Sequence, residues 1–157
     1  MRRHRLALIA AACLLFPSFT PFSVSAQAHP AAAFDFSASV ESLAEAAQTG
    51  AALPVGRYVL LTGTVRTLTA ERAEPFRMRV EVAAGLWIGT SRVVLRTVEV
   101  NFRGEEYRDR ADRESPSFLR TGNIVLVVAA VSGVRTGPDG SGTAVLEGVH
   151  IRPLDKL

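Results

Sequence analysis

The strongest constraint in this chain is its last third, Leu119 to Leu154, which reads LRTGNIVLVVAAVSGVRTGPDGSGTAVLEGVHIRPL. Two β-branched runs, Ile124–Val131 and Thr143–Ile151, flank a connection rich in Gly, Pro and Asp, the pattern of a β-hairpin with a longer loop. The first run is apolar at nearly every position, which predicts a strand covered on both faces. The second alternates, with Ala144, Leu146 and Gly148 on one face and Val145, Glu147 and Val149 on the other. Two strands cannot bury that much apolar surface alone, so the rest of the folded chain must close a sheet around them.

The N-terminus has a different character. Arg2, Arg3 and Arg5 precede an apolar run from Leu6 to Phe16, and a polar stretch then ends in Val24-Ser25-Ala26. Those are the parts of a signal peptide cleaved after residue 26, and the run is too short for the roughly 20 apolar residues of a membrane span. The expected address is therefore the periplasm or the exterior, with no transmembrane segment in the mature chain. The one cysteine, Cys13, lies inside this segment, so the mature chain has no disulfide to draw on. A minor alternative makes Cys13 a lipidation site and the protein a membrane-anchored lipoprotein. Removing Arg2, Arg3 and Arg5 leaves fifteen basic residues against fifteen acidic ones. That neutrality disfavours a nucleic-acid partner, which calls for a basic excess.

Residues 27–36 read as a disordered leader. Over 37–50 the apolar positions Val40, Leu43, Ala44 and Ala47 recur at helical spacing, with Ser37 or Ser39 as a cap and Gly50 as the stop. From Arg57 onward the chain is β-like. Arg57–Thr69 is one long strand with Gly63 near its middle, a place for a bend or bulge. Phe76, Met78, Val80 and Val82 alternate with Arg77, Arg79 and Glu81; Trp87 follows between two glycines; Val94, Arg96, Val98, Val100 and Phe102 alternate in the next strand. Residues 104–116 (GEEYRDRADRESP) are densely charged and read either as an exposed helix or as a loop. The order predicts a mainly β domain over 57–154, a small five-stranded barrel preceded by one amphipathic helix.

The strand Leu61-Thr62-Gly63-Thr64-Val65, the turn and strand Leu119-x-x-Gly122-Asn123-x-Val125-x-Val127, and the final strand Leu146-Glu147-Gly148-Val149-x-Ile151 resemble the bacterial OB-fold proteins grouped as tRNA-anticodon-binding-like domains. The resemblance runs from about Arg57 to Pro153 and implies an OB-fold barrel. It implies nothing about tRNA, since a fold does not fix a function.

No catalytic or metal constellation stands out. The mature chain has two histidines, His29 and His150, no paired metal ligands, no nucleophile elbow and no phosphate loop, so neither enzyme activity nor a cofactor is expected. OB barrels that bind oligomers use the face of their second and third strands and the adjoining loops. Arg77, Arg79, Trp87 and Arg96 are candidates for that face, with Arg72 and Arg135 in neighbouring loops. The composition as a whole favours a non-catalytic exported module that binds a protein or envelope component; the alternative is an oligonucleotide- or oligosaccharide-binding domain using the Arg/Trp face. Intact mass of the protein recovered from expressing cells tests the address: a chain starting at Gln27 is expected, and an acylated chain starting at Cys13 would make it a lipoprotein.

Overall fold

A computed structural model describes residues 33–154, and the signal segment, Cys13 and residues 27–32 of the expected leader lie outside them. The elements in order are β1 (Phe34–Asp35), α1 (Val40–Thr49), β2 (Tyr58–Glu71), β3 (Arg77–Ile88), β4 (Arg92–Arg103), a 3-10 turn (Glu105–Tyr107), α2 (Arg108–Ala111), β5 (Ile124–Thr136) and β6 (Gly142–Pro153). The protein is mainly β, with an OB-type barrel. Five strands close a ring in the order β2-β3-β4-β6-β5 and back to β2, and β1 adds a sixth strand at the edge. All the neighbours in the ring are antiparallel except β4 and β6, which run parallel from Val98/Ala144 to Asn101/Glu147.

Closure depends on β2 changing partner. Residues 58–64 pair with β5, and from Thr64 onward the strand pairs with β3. Gly63 sits at the switch. A Cβ there would lie 2.6 Å from Val82 Cγ1 and 2.8 Å from the Ala83 carbonyl oxygen, so only glycine lets the two strands approach this closely. A bulge between Val65 and Thr67 completes the bend. The turn at Gly122 and Asn123 docks there too: Gly122 N–H donates to the Val65 carbonyl at 2.8 Å, and Val65 N–H donates to the Asn123 carbonyl at 2.9 Å.

The alternating apolar positions point inward and form one core. Val59, Leu61, Met78, Val80, Val98, Val100, Phe102, Val125, Val127 and Leu146 are all fully buried, each contributing on the order of 1.5–3 kcal/mol. α1 covers the end of the barrel where β4 and β6 begin, through Val40, Leu43, Ala44 and Ala47. Its start is fixed by a capping box, with Ser42 N–H donating to Ser39 Oγ and Ser39 N–H to Ser42 Oγ, and Gly50 in the left-handed region stops it. The helix packs so closely that a Cβ on Gly142 would overlap the Ala47 carbonyl.

The charged insert of 104–116 is pinned to the opposite end. Tyr107 is buried against Phe102, ring centroids 4.9 Å apart, and its hydroxyl donates to the Val149 carbonyl at 2.7 Å. Val149 is the extra residue of a β6 bulge, since Val128 pairs with His150 and Ala129 with Gly148. The tyrosine thus takes up a carbonyl that the ladder leaves unpaired.

Two sequence expectations are corrected. Residues 33–36 of the expected disordered leader carry structure: Phe34 and Asp35 pair in parallel with Tyr58 and Val59, and Phe34 stacks on both Tyr58 and Phe36. The open edge of β2 offers hydrogen bonds there, and the rings supply apolar contact. The run Ile124–Val131 is not covered on both faces. Val125, Val127, Ala129 and Val131 are buried, whereas Leu126 and Val128 are half-buried and Ile124 is exposed, because a barrel wall has only one inner face. The segment around Trp87 continues β3.

Gly142→Ala is expected to lose about 1–3 kcal/mol of stability by pushing α1 off the barrel, measurable by denaturant unfolding. Tyr107→Phe is expected to lose about 1 kcal/mol by orphaning the Val149 carbonyl. Burial, with the nearby Glu106 carboxylate second, raises the Tyr107 pKa above its ordinary value of 10.0. The phenol's stabilisation is therefore intact below about pH 10 and lost as pH rises through the raised folded value, so the unaltered protein should lose stability more steeply than Tyr107→Phe above pH 10.

Candidate functional site

The outer face of β3 and β4 is set by strand alternation. Met78, Val80 and Val82 point inward, so Arg77, Arg79 and Glu81 point outward; on β4 the outward set is Val93, Leu95, Thr97, Glu99, Asn101 and Arg103. The register makes cross-strand rows of these: Arg77 opposite Arg103, Arg79 opposite Asn101, Glu81 opposite Glu99, Ala83 opposite Thr97, Gly85 opposite Leu95 and Trp87 opposite Val93. Directly opposed arginines repel each other. At this end Arg77, Arg79, Asn101 and Arg103 line a groove of about 180 Å³ together with Thr69 and Glu71.

Next along the face is a charge network. Arg66 pairs with Glu81 at 3.3 Å, Arg79 with Glu99 at 3.5 Å, Arg135 with Glu99 at 2.5 Å, and Arg103 with Glu147 at 3.8 Å. The exposed pairs contribute little to stability, ~0–1 kcal/mol each. Glu99 differs, because it is buried.

At the other end the two strands leave the barrel. Pairing of β3 with β2 ends at Ala83 and pairing of β4 with β6 begins at Val98, so residues 84–88 and 92–97 form a two-stranded arm. Its tip turns at Gly89, φ 64°. Trp87 is 67% exposed, and Leu86, Ile88, Val93 and Leu95 are exposed with it. No acidic residue lies between Glu81 and Glu99.

The structure brings Arg77, Arg79 and Arg135 onto one side of the barrel, Arg135 from within β5 and not from a loop as expected, with Trp87 on the same strand face as the first two but about 27 Å from Arg79 along β3, at ~3.4 Å per residue. Arg96 does not belong with them. It points to the other face, where Nη1 donates to Gln48 Oε1 of α1 and its Nε is buried without a partner among the described residues. Its alternation with Val94 and Val98 already carried that signal. Arg72 stands in the β2–β3 loop beside Arg108 and Arg113, lining a wide, open depression. Sequence reasoning missed Arg103 and Asn101, which continue the outward alternation of β4, and Glu99, whose role depends on residues from β3 and β5. Among the described residues no cluster of His, Cys, Asp or Glu could hold a metal ion.

No family model matches the chain, and no curated protein does. Solved structures do. A mitochondrial single-stranded DNA-binding protein of S. cerevisiae is 18% identical, with TM-score 0.44, over 62% of this chain and 93% of its own. A second single-stranded DNA-binding protein of Mycobacterium smegmatis is 19% identical, TM-score 0.43, over 63% and 89%. A small single-stranded DNA-binding protein of Streptomyces coelicolor is 15% identical, TM-score 0.45, over 62% and 93%. The likeness is one of fold.

The sequence reading of a protein or envelope partner, with nucleic acid disfavoured, is corrected here. The neighbours found are single-stranded DNA-binding proteins. Net charge is an average over the chain, and its local distribution is uneven. Arg66, Arg77, Arg79, Arg103 and Arg135 gather on one side with Glu71, Glu81, Glu99 and Glu147, a local excess of one positive charge, while the insert sets Glu105, Glu106, Asp109, Asp112 and Glu114 against Arg108, Arg110 and Arg113, a local excess of two negative charges.

Proposed function

We propose that this protein is a non-catalytic OB domain that binds single-stranded nucleic acid along the outer face of β3 and β4. The observation that carries the reading is one continuous strand face with guanidiniums at one end and a solvent-exposed tryptophan at the other. Guanidiniums suit phosphates because their donors are forked and always charged. An exposed indole offers a stacking platform to any base, and such stacking is worth about 1–3 kcal/mol per base. Arg77 and Arg103 stand opposite each other, with Glu71 across from Arg77 on β2 and Glu147 pairing Arg103, and their exposed guanidiniums keep donors for a phosphate placed between them.

The finer kinship with tRNA-anticodon-binding-like domains rests on the motifs around Gly63, Gly122-Asn123 and Gly148. Export by residues 1–26 belongs to the same proposal and would put the ligand outside the cytoplasm.

A titration of labelled oligothymidylate with the purified protein at low and physiological salt tests the reading. Binding is expected to weaken with salt at a slope of about −0.7 per phosphate engaged. Arg77→Ala with Arg103→Ala should flatten that slope, and Trp87→Ala should weaken binding by ~1–3 kcal/mol at either salt. Absence of salt-sensitive binding by the unaltered protein would falsify the proposal.

A further inference from the structure

Glu99 is the one buried charged side chain among the described residues, 6% exposed, although it lies on the outward side of β4. It is covered by two guanidiniums. Arg79 Nε is 3.5 Å from one carboxylate oxygen and Arg135 Nη2 is 2.5 Å from the other. Those two arginine side chains are themselves 57% and 55% exposed. A guanidinium has five N–H donors; Arg135 hydrogen-bonds Glu99, Arg79 forms an ion pair with it, and neither side chain makes a further hydrogen bond to the described residues. Their remaining donors border a polar groove of about 250 Å³ that also holds Thr69 and Thr143.

The second carboxylate of this groove, Glu81, is occupied by Arg66 and by the Thr67 hydroxyl. Three guanidiniums therefore face two carboxylates, and one positive charge is left over. Taking a carboxylate out of water to meet two solvated arginines is a poor source of stability. It does bias geometry: two long side chains from β3 and β5, one hydrogen-bonded and one ion-paired, are drawn to the two oxygens of one group, so that less rotamer freedom remains to be lost on binding.

We propose that Glu99 is a positioning residue, holding Arg79 and Arg135 as a two-guanidinium cradle for one phosphodiester of a strand crossing β3, β4 and β6. This rests on the nucleic-acid reading above and adds where one phosphate sits and what orients its ligands. The proposal reverses an electrostatic sign. A negative charge beside the path of a polyanion repels it, so removing the charge should tighten binding if Glu99 acts only through its charge. If Glu99 positions the arginines, removing it weakens binding.

The experiment is the oligothymidylate titration repeated with Glu99→Gln, alongside a thymine peptide nucleic acid whose backbone carries no phosphate. The expected result is a loss of about tenfold or more for the phosphate-bearing strand. Its salt slope should become shallower by about 0.7, one phosphate's share, and binding of the uncharged probe should be unchanged. Arg135→Lys keeps the charge and loses the fork, and it carries the same test should Glu99→Gln unfold; it is expected to weaken the phosphate-bearing strand alone. Equal or tighter binding by these variants, or an equal loss for both probes, overturns the cradle while leaving the nucleic-acid reading in place. If the unaltered protein binds neither probe, the nucleic-acid reading fails and the cradle falls with it.

Discussion

At Gly63 and Thr64 the long strand β2 lets go of β5 and takes up β3, and the barrel exists because its backbone can pass that close to Val82 and Ala83. A side chain at Gly63 would hold the strands apart, β2 would stay beside one neighbour, and the ring would remain an open sheet. With the switch made, β4 and β6 come together in parallel and seal the last gap. The inward rows of β-branched residues then share one interior, α1 covers one end and the Tyr107 insert the other. Every inward position is held by this closure, and so is the outward direction of its neighbours.

The outward face is therefore a consequence of the core. Arg77 and Arg79 stand in solvent because Met78 and Val80 do not. The same alternation, carried past the point where β2 and β6 stop pairing, produces the arm that displays Trp87. A barrel of this kind offers charge where strands are paired on both sides and exposed apolar surface where they run free. The two kinds of surface lie on one continuous strand pair, which is what a ligand with alternating charged and flat parts requires.

Much of this was legible beforehand, for identifiable reasons. The strands announced themselves by period-two alternation, the helix by its 3.6-residue spacing and its serine cap, and the bend by Gly63, because each depends on neighbours in sequence. Arg96 could have been excluded from the face on the same evidence. The rest was hidden. That residues 33–36 pair with β2 depends on which strand edge closure leaves open, that Tyr107 anchors the insert depends on a bulge in β6, and that Ile124–Val131 is sheltered on only one side depends on the number of layers in the fold.

Charge shows the division most clearly. The sequence by itself determined that arginines and glutamates alternate with core residues along β3 and β4, and hence that they face outward, because backbone geometry imposes a period of two. It also determined that basic and acidic residues are equal in number over 27–157, a balance that does not tell where on the surface the arginines stand. Only the tertiary structure decided that Arg79 and Arg135, 56 positions apart in the sequence, meet on Glu99. Coulomb interactions act through space over a few ångströms, and register and closure, which the order of residues specifies only through folding of the whole ring, set those distances.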